Sequence, residues 1–199
     1  MTGEWSYRLR DIVLGGLLLV AVLPVLAVVA VVVLLTDGRP LLFRQERPGR
    51  FGQPFTLVKV RTMRAASGPT EDDEQRISRV GRFLRATSLD ELPELWNVVR
   101  GDMSLVGPRP LLDDYLGAYT GVQHLRHQVR PGLTGLAQVS GRNALDWQAK
   151  LDLDVHYVRE RSHALDLRIL ARTLVTVLGR DGVSHPGHAT MPRLDARPD

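Results

Sequence analysis

The chain has 199 residues, 44% of them hydrophobic, and a formal net charge of +4, which suits one compact soluble domain plus one membrane element. It has no cysteine, which excludes a disulfide framework, a thiolate nucleophile and a thiolate metal site, so structural zinc is not expected. Lys59 and Lys150 are the sole lysines, so arginine carries nearly all the positive charge; its planar fork favours anionic partners, although an arginine-rich proteome gives the same bias.

Residues 12–35 carry no charged side chain, and a helix of that length reaches about 36 Å, enough to cross a bilayer core. A cleaved signal peptide fits less well, because the apolar run exceeds a typical h-region and no small-residue cleavage site follows. Arg8 and Arg10 precede the run while Arg39, Arg44, Arg47 and Arg50 follow it, so the positive-inside rule identifies no outer end. Pro24 removes a backbone donor in the middle, and a kink is expected there. These features predict a re-entrant helix–break–helix that enters and leaves by one face, with a tilted, kinked single span as the alternative.

Residues 41–47 and 55–62 read as a loose hairpin separated by Pro48, Gly49, Gly52 and Pro54. Residues 65–75 form a polar loop with the acidic cluster Glu71, Asp72, Asp73 and Glu74. In 77–86, Ile77, Val80 and Leu84 have helical spacing with Arg76, Arg79, Arg82 and Arg85 on the remaining surface, the pattern of a helix on anionic lipid or of an ordinary solvated face. Leu89, Leu92, Trp96 and Val99 mark the apolar face of the next helix, closing at Gly101. Residues 111–129 look helical, 131–135 read as a turn, and 144–159 and 165–178 as two further helices. From Gly179 the chain turns Gly-, Pro-, His- and Arg-rich, the composition of a poorly ordered tail.

Chemistry gathers at Ser88-Leu89-Asp90-Glu91. Ser88 at N-cap with Glu91 at N3 makes a capping box. The other reading is a carboxylate nucleophile, since Asp90 could attack a phosphoanhydride and form an acyl phosphate if cations neutralise the pyrophosphate. Adjacent helical residues point about 100° apart, so Asp90 and Glu91 act together only in the looser geometry of a helix end. Arg109 sits in the rigid turn Gly107-Pro108-Arg109-Pro110, and Arg142 in a second loop. Asp152-Leu153-Asp154 matches the acidic metal pattern of nucleotide-sugar glycosyltransferases, but inside a helical run a solvated face is the simpler account. His124, His127, His156 and His163 lack metal-ligand spacing and read as surface residues.

The stretch TSLDELPELWNVVRGDMSLVGPRPLL at 87–112, with RPGRFGQPFTLVKVRTM at 47–63 and RPGLTGLAQVSGRN at 130–143, resembles the bacterial monotopic phosphoglycosyl transferases, also called initiating sugar transferases. The resemblance takes in the proline-bearing membrane segment, although Leu23 stands where the family usually has a small polar residue. The final GVSHPGHATM resembles the smaller members that act on diacetamido-sugar nucleotides.

The resemblance implies a transfer of phosphosugar from a UDP-sugar to polyprenyl phosphate, with release of UMP. It places Asp90 on the family's nucleophile and Glu91 on its acidic neighbour, with Mg²⁺ as cofactor and Asp90 as its protein ligand. Lys59, Arg85, Arg109 and Arg142 fall on basic positions expected to contact phosphate or nucleotide. The expected architecture is an α/β, helix-rich irregular catalytic domain at 37–179 on the cytoplasmic face of a bacterial membrane, a re-entrant helix at 1–36 and a tail at 180–199. Membrane lipids are expected partners and nucleic acid is not. The rival readings are a UDP-releasing, metal-dependent glycosyltransferase built on Asp152 and Asp154, and a non-catalytic membrane adaptor.

Overall fold

The computed structural model describes residues 2–64, 73–141 and 145–179. The expected tail at 180–199, Arg142 and most of the acidic loop therefore lie outside the described residues.

The first element, α1 (Thr2–Thr36), continues through Pro24. One missing donor leaves the rest of the helical ladder intact. Asp11, Gly15, Leu19, Val22, Leu26, Val29 and Val33 recur every three or four positions and form its covered face. Its other faces are open and apolar; Leu17, Val20, Val28 and Leu35 are each more than 60% exposed. The helix is long and apolar enough to sit in a membrane.

The strands β1 (Leu42–Pro48) and β2 (Pro54–Val60) form the expected hairpin, antiparallel, with Arg47 opposite Phe55 and Phe43 opposite Lys59. A short α2 (Asp73–Arg76) precedes α3 (Arg79–Ala86), whose N-cap Ser78 accepts from the Gly81 amide at 2.8 Å. Leu84 is buried, and with Val80 it packs against Val29 and Val33 of α1. Arg79, Arg82 and Phe83 face outward.

A 3₁₀ turn (Leu89–Glu91) then leads into α4 (Glu94–Arg100), closed by Gly101 in the left-handed region at φ 103°. The helix thus starts after Pro93 rather than at Ser88. The tighter turn shifts the phase of the apolar face, so Glu94, Leu95, Asn97 and Val98 are buried and Trp96 points outward, contrary to the helical reading from Leu89. Residues 111–129 also differ from expectation: two 3₁₀ segments, Asp113–Ala118 and Gln123–Gln128, replace one α-helix, because extended Tyr119 interrupts it.

The expected turn at 131–135 is instead strand β4 (Gly132–Thr134), parallel to β3 (Ser104–Val106). Glycine permits the approach: a Cβ on Gly132 would lie 2.0 Å from the Gly107 amide nitrogen. The fold finishes with α5 (Leu136–Val139), α6 (Trp147–Glu160) and α7 (His163–Gly179). Leu57, Leu95, Val98, Leu105, Tyr157 and Ile169 form the main core, onto which Leu19 and Val22 of α1 dock.

Polar anchors fix both ends of α1 to this same domain. At the start, Arg8 donates to the carbonyls of Val98 and Val99 at 2.7 and 2.6 Å, and Asp11 accepts from Ser104 Oγ at 2.7 Å. Just beyond the end, Asp37 accepts from Ser78 Oγ at 2.8 Å, and Arg61 donates to the carbonyls of Asp37 and Gly38.

Candidate active site

The 3₁₀ turn is the geometric origin of the site. Ser88 occupies the left-handed region at φ 57° and its side chain makes no capping hydrogen bond, so the capping box does not form. A non-glycine residue held there carries backbone strain, which is often found at functional turns. The strained turn places Asp90 and Glu91 just before the start of α4, in different surroundings.

Asp90 is 8% exposed, and among the described residues no cation or donor lies within bonding distance of its carboxylate. Burial, followed by the adjacent Glu91 charge, raises its pKa above the ordinary value. Lys59, Arg85 and Arg109 act on it in the opposite sense without reversing the shift.

Glu91 is the gathering point for cations. Lys59 Nζ donates to it at 2.9 Å, and Arg109 clasps it through both terminal nitrogens. Burial opposes its ionisation, but Arg109 and Lys59 outweigh burial and hold the carboxylate well below its usual range. The Glu91 charge in turn raises Arg109. Lys59 is also raised, since its two carboxylate neighbours outweigh its burial.

The second neighbour is Glu94, 2% exposed and 2.9 Å from Lys59 Nζ. Burial pushes its pKa up to about 7. Sequence reasoning missed it, although its place three residues after Glu91 was the available signal: on a helix this spacing puts both carboxylates beside one partner. Buried Asn97 was missed too. Its Nδ2 donates to the Thr56 carbonyl at 2.8 Å and its Oδ1 accepts from the Val58 amide at 3.2 Å, tying α4 to the strand that carries Lys59.

Of the basic residues expected here, Lys59 and Arg109 stand against Glu91, and Arg85 anchors to Thr62 Oγ1 at 2.9 Å with its charge acting on Asp90. Arg109 is positioned from behind. Its carbonyl accepts from Arg126 Nη2 at 2.7 Å, and the same guanidinium pairs with Asp154 at 2.7 Å and with Tyr119 Oη at 3.1 Å.

Asp154 is therefore committed to a buried ion pair, while exposed Asp152 accepts from Gln148 at 2.8 Å. The two carboxylates serve different contacts, which removes the geometric basis for a shared metal. The histidines also divide. His124 and His156 are exposed, whereas His127 is half-buried and burial lowers its pKa to about 4. His163 stacks on Tyr7 at 4.2 Å.

An apolar helix long enough to sit in a membrane thus lies alongside a buried carboxylate cluster held by Lys59 and Arg109. The family described as bacterial sugar transferase matches residues 2–180. The chain is 47% identical over 195 residues to the uncharacterized sugar transferase EpsL of Bacillus subtilis, covering 96% of each chain. It is 43% identical over 187 residues to the UDP-glucose:undecaprenyl-phosphate glucose-1-phosphate transferase of Caulobacter vibrioides, covering 87% of this chain and 70% of that one. It is 40% identical over 195 residues to the UDP-galactose-lipid carrier transferase of Erwinia amylovora, covering 88% of this chain and 41% of that one. The chain belongs to the bacterial sugar transferase family. It is thus an enzyme, a phosphoglycosyl transferase, rather than a non-catalytic adaptor.

Proposed function

We propose that the protein transfers a phosphosugar from a UDP-sugar to polyprenyl phosphate at the cytoplasmic face of the bacterial membrane, through a covalent intermediate on Asp90. The observation that carries this reading is the division of labour between neighbours: Glu91 is held by Lys59 and Arg109, while buried Asp90 has no hydrogen-bond or ion-pair partner on its carboxylate among the described residues. The names of the relatives from Caulobacter vibrioides and Erwinia amylovora, which include a UDP-sugar and a lipid carrier, support the substrate classes.

In the first step an Asp90 carboxylate oxygen attacks the sugar-bearing phosphorus. The bond from that phosphorus to the bridging oxygen breaks, and UMP leaves with the oxygen and its electron pair. In the second, a phosphate oxygen of the lipid attacks the same phosphorus, and the Asp90 carboxylate leaves, giving polyprenyl diphosphosugar. Lys59 and Arg109, held by Glu91, stabilise the charge that builds on the phosphoryl oxygens; Arg85 adds a third cation on the Asp90 side. Arg142 belongs to the same proposed set.

Mg²⁺ fits the residues present. It binds through one or two carboxylates plus substrate phosphates, and Asp90 offers one carboxylate that has no bonded cation among the described residues. Asp90 would hold the ion, which when bound supplies further neutralisation of the pyrophosphate.

We also propose that α1 enters and leaves the membrane by one face. Both of its ends bond to one domain, at Val98, Val99 and Ser104 and at Ser78 and Arg61. A crossing helix would separate those anchors by about 30 Å of hydrocarbon. A shallow seat brings the aqueous nucleotide sugar and the lipid phosphate to one level.

The test is incubation of detergent-purified protein with Mg²⁺, undecaprenyl phosphate and a panel of UDP-sugars. UMP release that is lost in Asp90→Asn supports the proposal. UDP release lost in Asp152→Asn would overturn it in favour of glycosyl transfer.

A further inference from the structure

Arg47, at the end of β1, enters none of the steps above, yet its surroundings are unusual for an arginine. Its Nη2 donates to Gln45 Oε1 at 2.6 Å. Its Nε is buried and has no partner. Among the described residues no carboxylate comes within ion-pair distance of it.

Other arginines with an unbonded Nε are compensated elsewhere on the guanidinium. Arg10 pairs with Asp166, Arg161 pairs with Glu4, and Arg61 donates to three successive carbonyls. Arg47 has one neutral amide. A buried donor without an acceptor is costly, and a half-buried cation without a counter-charge costs more.

The end of β1 also abuts the site. Pro48 and Gly49, the next two residues, line a small cleft together with Pro108, Arg109 and Pro110. Burial and then the Arg109 charge lower the Arg47 pKa, and Glu94 and Asp113 act in the opposite sense without reversing the shift. Glu91 satisfies Arg109 from one side, whereas among the described residues Arg47 has one neutral hydrogen-bond partner, Gln45, and no ion-pair partner.

We infer that Arg47 is a further phosphate-binding residue, whose guanidinium, without an ion-pair partner among the described residues, is completed by a phosphate oxyanion lying between it and Arg109. An oxyanion there converts a repulsive cation pair into two charge-assisted contacts, a task suited to the guanidinium fork. The inference rests on the proposed phosphosugar chemistry for the ligand's origin, but not for the existence of the site. The oxyanion could belong to the nucleotide sugar or to the lipid phosphate.

The experiment compares wild type with Arg47→Gln and Arg47→Lys in detergent. Thermal unfolding is followed with and without inorganic pyrophosphate, and KM is measured separately for the UDP-sugar and for undecaprenyl phosphate. Pyrophosphate should raise the wild-type midpoint and leave that of Arg47→Gln nearly unmoved, because binding stabilises only the state that binds. Without ligand, Arg47→Gln should be at least as stable as wild type, since it removes a half-buried charge that has no ion-pair partner among the described residues.

The KM for the substrate that supplies the oxyanion should rise roughly tenfold in Arg47→Gln, with Arg47→Lys between. A rise for the UDP-sugar alone assigns the oxyanion to the nucleotide, and a rise for the lipid alone assigns it to the acceptor. A ligand-free midpoint that falls in Arg47→Gln while the pyrophosphate shift persists would overturn the inference and make Arg47 structural. If no UDP-sugar is turned over but the pyrophosphate shift still depends on Arg47, the proposed function fails and this site stands.

Discussion

Glu94, almost fully buried, meets the Lys59 ammonium at 2.9 Å, and the same ammonium lies 2.9 Å from Glu91. One cation therefore stands between a carboxylate held strongly ionised and one that burial drives toward neutrality. The folded-state pKa of Glu94, about 7, lies above the ordinary 4.5. Its favourable contribution is therefore complete below the ordinary value and is lost as pH rises through about 7. The wild-type unfolding midpoint should fall between about pH 5 and pH 8, and Glu94→Gln, which cannot titrate there, should flatten that slope. Thermal unfolding across a pH series in one detergent measures both.

Asp90 must be ionised to attack phosphorus, and burial with the Glu91 charge raises its pKa. The acid limb of kcat/KM should therefore lie above the ordinary aspartate value, and Glu91→Gln should move it downward by removing the neighbouring charge. Glu91→Gln should also lower kcat, because Lys59 and Arg109 lose the group that aligns them. Asp90→Asn should reduce UMP release by roughly 10³-fold or more. A pH–rate profile for each variant distinguishes these effects.

Much of this site was legible as residue types and little of it as contacts. Asp90, Glu91 and Arg109 could be singled out because Asp-Glu beside a helix start and an arginine between prolines are local patterns, whereas Lys59 stands out only through the resemblance to the phosphoglycosyl transferases. The partners that hold them are separated widely in sequence: Asn97 reaches β2, and Arg126 links Asp154 to the Arg109 carbonyl. No local periodicity reports such links. The helix at Glu94 was misphased because a 3₁₀ turn advances by three residues rather than 3.6. Strand β4 reads as a turn in the sequence because Gly132 within it and Gly135 just after it, needed for close approach to Gly107, carry a turn composition.

The Arg126–Asp154 pair predicts an effect on a site it does not enter. Asp154→Asn leaves a buried guanidinium without its counter-charge, which should destabilise the protein by about 3–5 kcal/mol. The Arg109 turn should loosen with it, so activity at a temperature where the variant remains folded should also fall. Asp152→Asn breaks one exposed contact to Gln148 and should leave both quantities near wild type. Unfolding midpoints with UMP-release rates for the two variants separate a structural aspartate from a metal pair, in which both substitutions would be equally damaging.

Gly81 tests the seat of α3 on the hairpin. A Cβ there would lie 2.1 Å from the Thr62 carbonyl oxygen, too close for any side chain. Gly81→Ala should force α3 away from the segment that holds Thr62, costing about 1–3 kcal/mol and weakening the Arg85–Thr62 hydrogen bond. The change should therefore reduce both the unfolding midpoint and UMP release, whereas Gly16→Ala, with nothing within 4 Å of its Cβ, should alter neither.

Topology is open to a direct test because the chain contains no native cysteine to confuse labelling. Gly3 has open space around its Cβ position and Arg39 is exposed, so Gly3→Cys and Arg39→Cys introduce reporters at the two ends of α1 without disturbing packing. In sealed inside-out vesicles both should react with a membrane-impermeant maleimide, and in right-side-out vesicles neither should. Reaction from opposite sides would mean that α1 crosses. The anchors at Val98 and Ser104 would then have to separate from those at Ser78 and Arg61, and the strip of α1 from Asp11 to Val33 could not pack on one domain.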